Sequence, residues 1–388
     1  MSAGVEPVKV GLLIDYIEGT GGSDSMLESI VLSAFRLAEE ELRDKRALDR
    51  EVEYVVEQVN GLPNGSFKPV RDAFYRLVDA GCVIIFGPWI SENGAPLGEY
   101  VNGLAEVPCI TVAGTESMLG EYMFGLPAGS MEEEPIIMAN VAYYDGCRTM
   151  GIAYEDSLIG EQYLRSARAA CADLGIKVTG EVPIPQIVAT KVDELRQLHA
   201  GKPDGIMHIG MGLGVQHINA GLKEIGWMPR RYTCTAFEFA ANSAMWREHL
   251  AGWVGLDQFD ERNEVGRAFL DRFEAKYSRR PAFYWPLLAY DVGRMMLTAV
   301  ATARPLTGKG VKAALERIKM MPAATGAPGT RLRFGKFIRH GWVGSEFLVA
   351  RRVLDDASGI VMHGTINGLV PAYEPSEGEQ VTGIGIHS

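Results

Sequence analysis

The side chains able to do chemistry stand mostly where an apolar run gives way to a short polar loop. Ser91 follows Gly87-Pro88-Trp89-Ile90, Thr115 closes Ala113-Gly114-Thr115, and Ser157 lies in Glu155-Asp156-Ser157-Leu158-Ile159-Gly160. At a helix start, a hydroxyl and the backbone amides beside it can hold a small anion, because the first N–H groups of a helix lack partners and carry its positive dipole end. The same residues serve equally as N-caps that need no ligand. Glu238, between Phe237 and Phe239 after a strand-like run, suits a ligand ammonium, with a solvated surface carboxylate as the alternative. Tyr16, Trp89, Tyr284 and Trp285 fall in turns or at a helix start, where aromatic walls of a cleft are expected, although one or two of them serve as ordinary packing residues.

Other chemistries lack their residues. Gly19, Gly21 and Gly22, like Gly210, Gly212 and Gly214, miss the sixth-position glycine of GxGxxG, and no GxxxxGK[ST] occurs, so turn and close-approach roles explain these glycines and no cofactor is expected. There is no GxSxG, no HExxH and no Cys or His set at zinc spacing. The histidines are scattered, and His208, inside the apolar run IMHIG, reads as a satisfied core or rim histidine. The titratable residues form no nucleophile and base pair, which argues against an enzyme. Cys82, Cys109, Cys147, Cys171 and Cys234 lie far apart with no CxxC; buried reduced thiols are expected, and a Cys82 to Cys109 disulfide stays open if their strands are neighbours.

Positioning these loops requires strands and helices in alternation, and the hydropathy supplies it. Val8 to Ile14, Val52 to Gln58, Cys82 to Phe86 and Cys109 to Val112 read as buried strands. Between them, helical spacing marks Leu27 to Ala38, with Ser25 and Glu28 as a capping box, and Val70 to Val78 after Pro69. From Pro127 the rhythm restarts: a helix over Glu133 to Tyr144, a strand Thr149 to Tyr154, a helix with Leu164, Ala167, Cys171 and Leu174, a strand near Lys177 to Val182, and a short helix from Lys191. A strand Gly205 to Ile209, a helix from Gly210-Met211-Gly212 to about Ile225 and a strand Arg231 to Thr235 complete it. Helices then follow over Asn263 to Tyr277, Tyr284 to Ala303 and Lys309 to Lys319, with strand-like runs at Arg331 to Phe334 and Phe347 to Val353. This pattern predicts an α/β fold with parallel sheets covered by helices, in which ligands gather at the carboxyl ends of the strands.

Length and charge narrow the function. A chain of 388 residues suits two domains or somewhat more, and 47% hydrophobic content supports a sizeable core. The net charge of −11 opposes a nucleic acid or an anionic membrane surface as main partner. No apolar run reaches the roughly 18 to 20 residues of a membrane span, so no membrane insertion is expected. Met1-Ser2-Ala3-Gly4 reaches the first strand with no room for a secretory leader, which predicts a cytoplasmic protein as the chain stands, or a periplasmic one if a leader was trimmed.

In order and separation, the segments GLLIDY, FGPWIS, PCITVAGT, GIAYEDSLIGEQY, MHIGMG, CTAFE and PAFYWPLLAYDVGRMM resemble the type 1 periplasmic-binding fold, and above all the branched-chain amino acid and amide receptors of ABC transport systems. The resemblance spans about Val8 to Val353. It implies two Rossmann-like lobes joined by a three-crossover hinge, with residues 1–126 and 257–330 in lobe 1 and 127–256 and 331–370 in lobe 2; the tail 371–388, rich in Pro, Gly and acid, reads by its composition as a flexible end. It also implies that Ser91, Ala113 and Thr115 face the ligand from one lobe, and Leu158, Met211 and the ammonium-binding Glu238 from the other. Leu158 and Met211 are apolar where such receptors often carry Tyr, and Trp89 is bulky, so an aromatic or larger apolar carboxylate or amide suits the walls at least as well as a small amino acid. The implied function is a solute-binding protein that traps a small carboxylate, amino acid or amide by hinge closure and is read by an ABC permease. A cytoplasmic ligand-sensing regulator that holds a regulatory protein is the alternative.

Overall fold

The computed structural model describes residues 6–15, 27–62, 65–185, 190–210 and 213–365. Tyr16, Met211, the turn at Gly19 to Gly22, Ser25 and the tail from 371 lie outside them. The chain divides into two compact units: Met1–Ala128, Glu261–Pro281 and Trp285–Gly344 form the first, and Gly129–Asp260, Ala282–Tyr284 and Ser345–Ser388 the second.

In the first unit, β1 (Val8–Ile14), β2 (Val52–Gln58), β3 (Ile85–Phe86), β4 (Cys109–Thr111) and β5 (Met123–Gly125) make a wholly parallel sheet in the order β2-β1-β3-β4-β5. A parallel sheet carries helices on both faces, which is why β1 is apolar at every position but Lys9 and does not alternate. The helix Ser33–Asp44 buries Ala34, Phe35, Leu37 and Ala38, and Phe67–Asp79 buries Val70, Ala73, Phe74 and Leu77, on the faces that their spacing predicts. The strand expected over Cys82 to Phe86 is shorter: Val83 already donates to the Lys9 carbonyl, but regular pairing to both neighbours begins only at Ile85. β5, three residues long, offers no periodic signal and was not anticipated.

The second unit contains β6 (Thr149–Glu155), β7 (Lys177–Ile184), β8 (Gly205–Ile209), β9 (Arg230–Thr233) and β10 (Val254–Asp257), all parallel. The helices Glu133–Tyr144, Leu158–Asp173 and Val192–Ala200 stand where the sequence places them. The single helix expected after β8 is broken: Leu213–Val215 is a 3-10 turn, His217 takes a left-handed backbone (φ 66°), and Ile218–Glu224 follows.

The chain then returns to the first unit for the helices Glu264–Tyr277, Trp285–Thr302 and Gly308–Leu315, and for an antiparallel ribbon of β11 (Met321–Pro322), β12 (Arg331–Leu332) and β13 (Trp342–Val343). Residues 331–344, read from the sequence as second-lobe, pack here. The Gly125 amide donates to the Arg339 carbonyl (2.8 Å), the Gly341 amide to the Gly125 carbonyl (2.7 Å), and Trp342 Nε1 to the Pro127 carbonyl (3.1 Å). Back in the second unit, β14 (Val349–Val353) and β15 (Ile360–Thr365) add antiparallel to β10, giving the order β15-β14-β10-β9-β8-β6-β7. Two α/β units with mainly parallel sheets are thus the architecture. All five cysteines are free and buried, Cys82 and Cys109 included.

Candidate functional site

In the first unit the strand-end loops are organised by a residue that sequence reasoning passed over. β1 runs into Asp15, fully buried, whose carboxylate accepts hydrogen bonds from Trp89 N (2.8 Å), Ile90 N (3.1 Å) and Asn93 Nδ2 (2.8 Å). Asn93 is itself fixed by Leu62, accepting from its amide at 2.9 Å and donating to its carbonyl at 3.1 Å. Burial pushes the Asp15 carboxyl up to about 6, outweighing the donors that favour its charged form. Gly87, at φ 119°, is required there, because a Cβ would stand 2.2 Å from the Leu13 carbonyl oxygen.

The neighbouring loop is tied to this one. Thr111 donates its hydroxyl to the Pro88 carbonyl (2.6 Å) and accepts from Ala113 N (3.1 Å), while Thr115 Oγ1 lies 3.1 Å from Ser117 Oγ. Ser91, Ala113 and Thr115 therefore sit on adjacent loops of one sheet edge, all buried, and Ser91 opens a helix that no side chain caps. Trp89 stacks on Trp285 at 5.0 Å and 14° and packs on Phe86 at 5.2 Å. At 7% exposure it contributes to the core as much as to any wall.

The second unit presents acid. Glu238 begins the short helix Glu238–Asn242, and the buried Tyr284 hydroxyl donates to its carboxylate. Burial, and then the charges of Glu238, Asp257 and Glu134, hold that phenol well above its usual range. Glu134 is buried, accepts from the Tyr163 hydroxyl and from Thr235 N (2.7 Å), and is pushed by burial up to about 7. Asp257, at the end of β10, accepts from Gln258 N (2.7 Å) and lies 3.5 Å from the Arg351 guanidinium. Of these groups Glu238, whose carboxylate the Tyr284 hydroxyl supports, is the one suited to a ligand cation or hydrogen-bond donor.

Ser157 caps the helix Leu158–Asp173: it accepts from Gly160 N (3.1 Å) and donates to buried Glu155 (2.9 Å), so its hydroxyl serves the fold. Leu158 is the first residue of that helix. His208 is in the core as expected, but only half satisfied: Nδ1 lies 3.1 Å from Thr233 Oγ1 while Nε2 has no partner, and burial lowers the ring to about 3. Among the described residues no three His, Cys, Asp or Glu side chains gather as metal ligands, and no helix is long and apolar enough to cross a membrane.

Asp15, Asn93, Thr111, Glu134 and Tyr163 escaped sequence reasoning because their partners lie far along the chain. Asp15 offered one signal, an acid placed directly after an unbroken apolar strand.

Two units with parallel sheets and polar strand-end loops define a two-lobed α/β receptor class. A model of the periplasmic binding protein family matches residues 7–345, and the chain belongs to that family. Its fold is similar to the periplasmic binding protein type 1 from Bordetella pertussis Tohama I (TM-score 0.75, 16% identity, covering 92% of this chain and 100% of that one). It is equally similar to the leucine binding protein of Thermotoga maritima MSB8 (TM-score 0.75, 16% identity, 93% and 99%). A solute binding protein of an ABC transporter from Rhodopseudomonas palustris BisB5, solved with 3,4-dihydroxybenzoic acid, also shares the fold (TM-score 0.68, 14% identity, 89% and 93%). Comparison with curated protein sequences gives no match.

Proposed function

We propose that this solute-binding protein takes a small organic carboxylate bearing an ammonium or amide group, delivers it to an ABC permease, and performs no bond chemistry. The observation that carries the reading is the Tyr284-supported carboxylate of Glu238, set among Glu134 and Asp257, which favours a ligand cation or N–H donor. In the first unit, the helix start at Ser91 and the Ala113 to Thr115 loop offer amides and hydroxyls suited to a ligand carboxylate. A leucine binding protein and a dihydroxybenzoate-bound receptor on the same fold support amino acids and aromatic acids as the classes to try.

A thermal-shift screen of amino acids, short amides and aromatic acids tests the proposal, since ligand bound to the native state raises the melting temperature. If none of these classes shifts the transition, the proposal fails.

A second reading, a cytoplasmic ligand-sensing regulator, is favoured by the five free, buried thiols. Recovery of the native protein in the periplasmic extract rules it out.

A further inference from the structure

In a chain of net charge −11, residues 309–339 hold eight Lys or Arg against one acid, Glu316. They build the antiparallel ribbon of the first unit and the helix before it. Leu332 and Phe334 are buried, so the alternation of a strand turns Arg331 and Arg333 outward along β12. Phe334 N donates to the Ile318 carbonyl (3.1 Å), and Lys319 Nζ donates to the Phe334 carbonyl (2.5 Å). The register that pairs Met321 with Leu332 brings Met320 beside Arg333. Beyond Phe334 the chain reverses in a tight turn: Gly335 and Ile338 exchange backbone hydrogen bonds at 3.0 and 3.1 Å, and Lys336 and Phe337 form its tip.

This end of the ribbon is apolar as well as basic. Phe337 is 89% exposed, more than any other large apolar side chain among the described residues, and Met320 is 54% exposed. Lys336 Nζ lies 5.4 Å from the centre of the Phe337 ring, and Arg317 and Lys319 are exposed next to Met320. The nearby acids Glu316 and Glu121 pair with Lys312 and Arg339, and among the described residues no carboxylate forms an ion pair with Arg317, Lys319, Arg331, Arg333 or Lys336. A stable protein interface buries about 800 Å² on each side around an apolar core, whereas a Phe side chain supplies about 150–250 Å². No large apolar side chain of the ribbon other than Phe337 and Met320 is exposed among the described residues. A lipid surface asks for less: an aromatic ring settles at headgroup level, and each cation close to anionic lipid adds attraction. Charges further than about 8 Å away are screened, so a bilayer meets the local charge of the ribbon and not the total charge of the chain.

We propose that the first unit docks on an anionic phospholipid surface through this turn, with Phe337 and Met320 entering the headgroup layer and the surrounding cations facing lipid phosphates. The surface contains none of the candidate ligand-binding residues, so its test does not depend on the organic ligand.

The test is co-sedimentation of the full chain with vesicles of phosphatidylglycerol mixed with phosphatidylcholine, against vesicles of phosphatidylcholine alone. The mixed vesicles should capture the protein at least tenfold better at about 0.1 M salt and lose that advantage at about 1 M, where the screening length falls to about 3 Å. Phe337→Ala should weaken capture roughly tenfold, and Arg317→Glu combined with Lys336→Glu at least as much. All three side chains are exposed, so both variants should melt as the unaltered protein does, and either one alone suffices for the test. Equal capture by the two kinds of vesicle overturns the proposal, as does capture that Phe337→Ala leaves unchanged. Capture by neither also overturns it and assigns the turn to a protein partner.

Discussion

Asp15 is the place where the balance of forces in the first unit can be measured. Its carboxylate receives three donors, yet burial raises it from 3.8 to about 6. A raised folded-state value means that the native protein holds the proton more tightly than the unfolded chain. Asp15 therefore contributes stability that is fully present below pH 3.8 and is lost as pH rises through about 6. At about 1.36 kcal/mol per pH unit the full effect is roughly 3 kcal/mol, of which about 2.4 kcal/mol falls between pH 4 and pH 7.5. Asp15→Asn removes the titration. It adds a pH-independent loss of about 1–3 kcal/mol, because the new amide sets a donor against N–H groups that are already donors. Urea unfolding of both proteins at several pH values, followed by tryptophan fluorescence, gives the difference in stability. Wild type minus Asp15→Asn should be about 2–3 kcal/mol larger at pH 4 than at pH 7.5. Taking the difference cancels Glu134, which is also raised and present in both proteins. A difference constant to within about 0.5 kcal/mol, smaller than a single hydrogen bond contributes, refutes the reasoning.

Trp89→Ala should destabilise the protein by about 3–5 kcal/mol in denaturant unfolding, because Trp89 is buried against Phe86 and Trp285. Glu238→Gln should weaken an ammonium-bearing ligand by roughly 10- to 100-fold in calorimetric titration and change a simple carboxylate by less than about threefold. Equal losses remove Glu238 from its role. Asn263→Ala should lower stability by about 1–2 kcal/mol. Its Oδ1 caps Glu264–Tyr277 through Val265 N (3.1 Å), and its Nδ2 reaches the carbonyls of Ala323 (3.2 Å) and Gly326 (3.0 Å); a null result in thermal melting would make both contacts dispensable.

By itself the sequence determined the elements and their order. Val8–Ile14, Val52–Gln58, Glu133–Tyr144 and Gly205–Ile209 are legible to the residue, because inner strands such as Val8–Ile14 and Gly205–Ile209 are almost continuously apolar, the edge strand Val52–Gln58 is rich in Val and Tyr, and a helix keeps its apolar residues together along the chain. The loops carrying Ser91, Ala113, Thr115 and Glu238 were legible for the same reason, since they begin where those runs stop. Tertiary structure alone decided what each side chain does there. It made Ser157 a helix cap bonded to Glu155, put Trp89 into the core, placed residues 331–344 beside Gly125, and set Asp15 under the Trp89 loop 74 positions away. It also left Lys191 Nζ and His208 Nε2 each buried without a hydrogen-bond partner. Periodicity records only the burial a residue shares with its chain neighbours. Hydrogen bonds, stacking and desolvation depend on groups brought close by folding, and nothing in the local pattern encodes their distance.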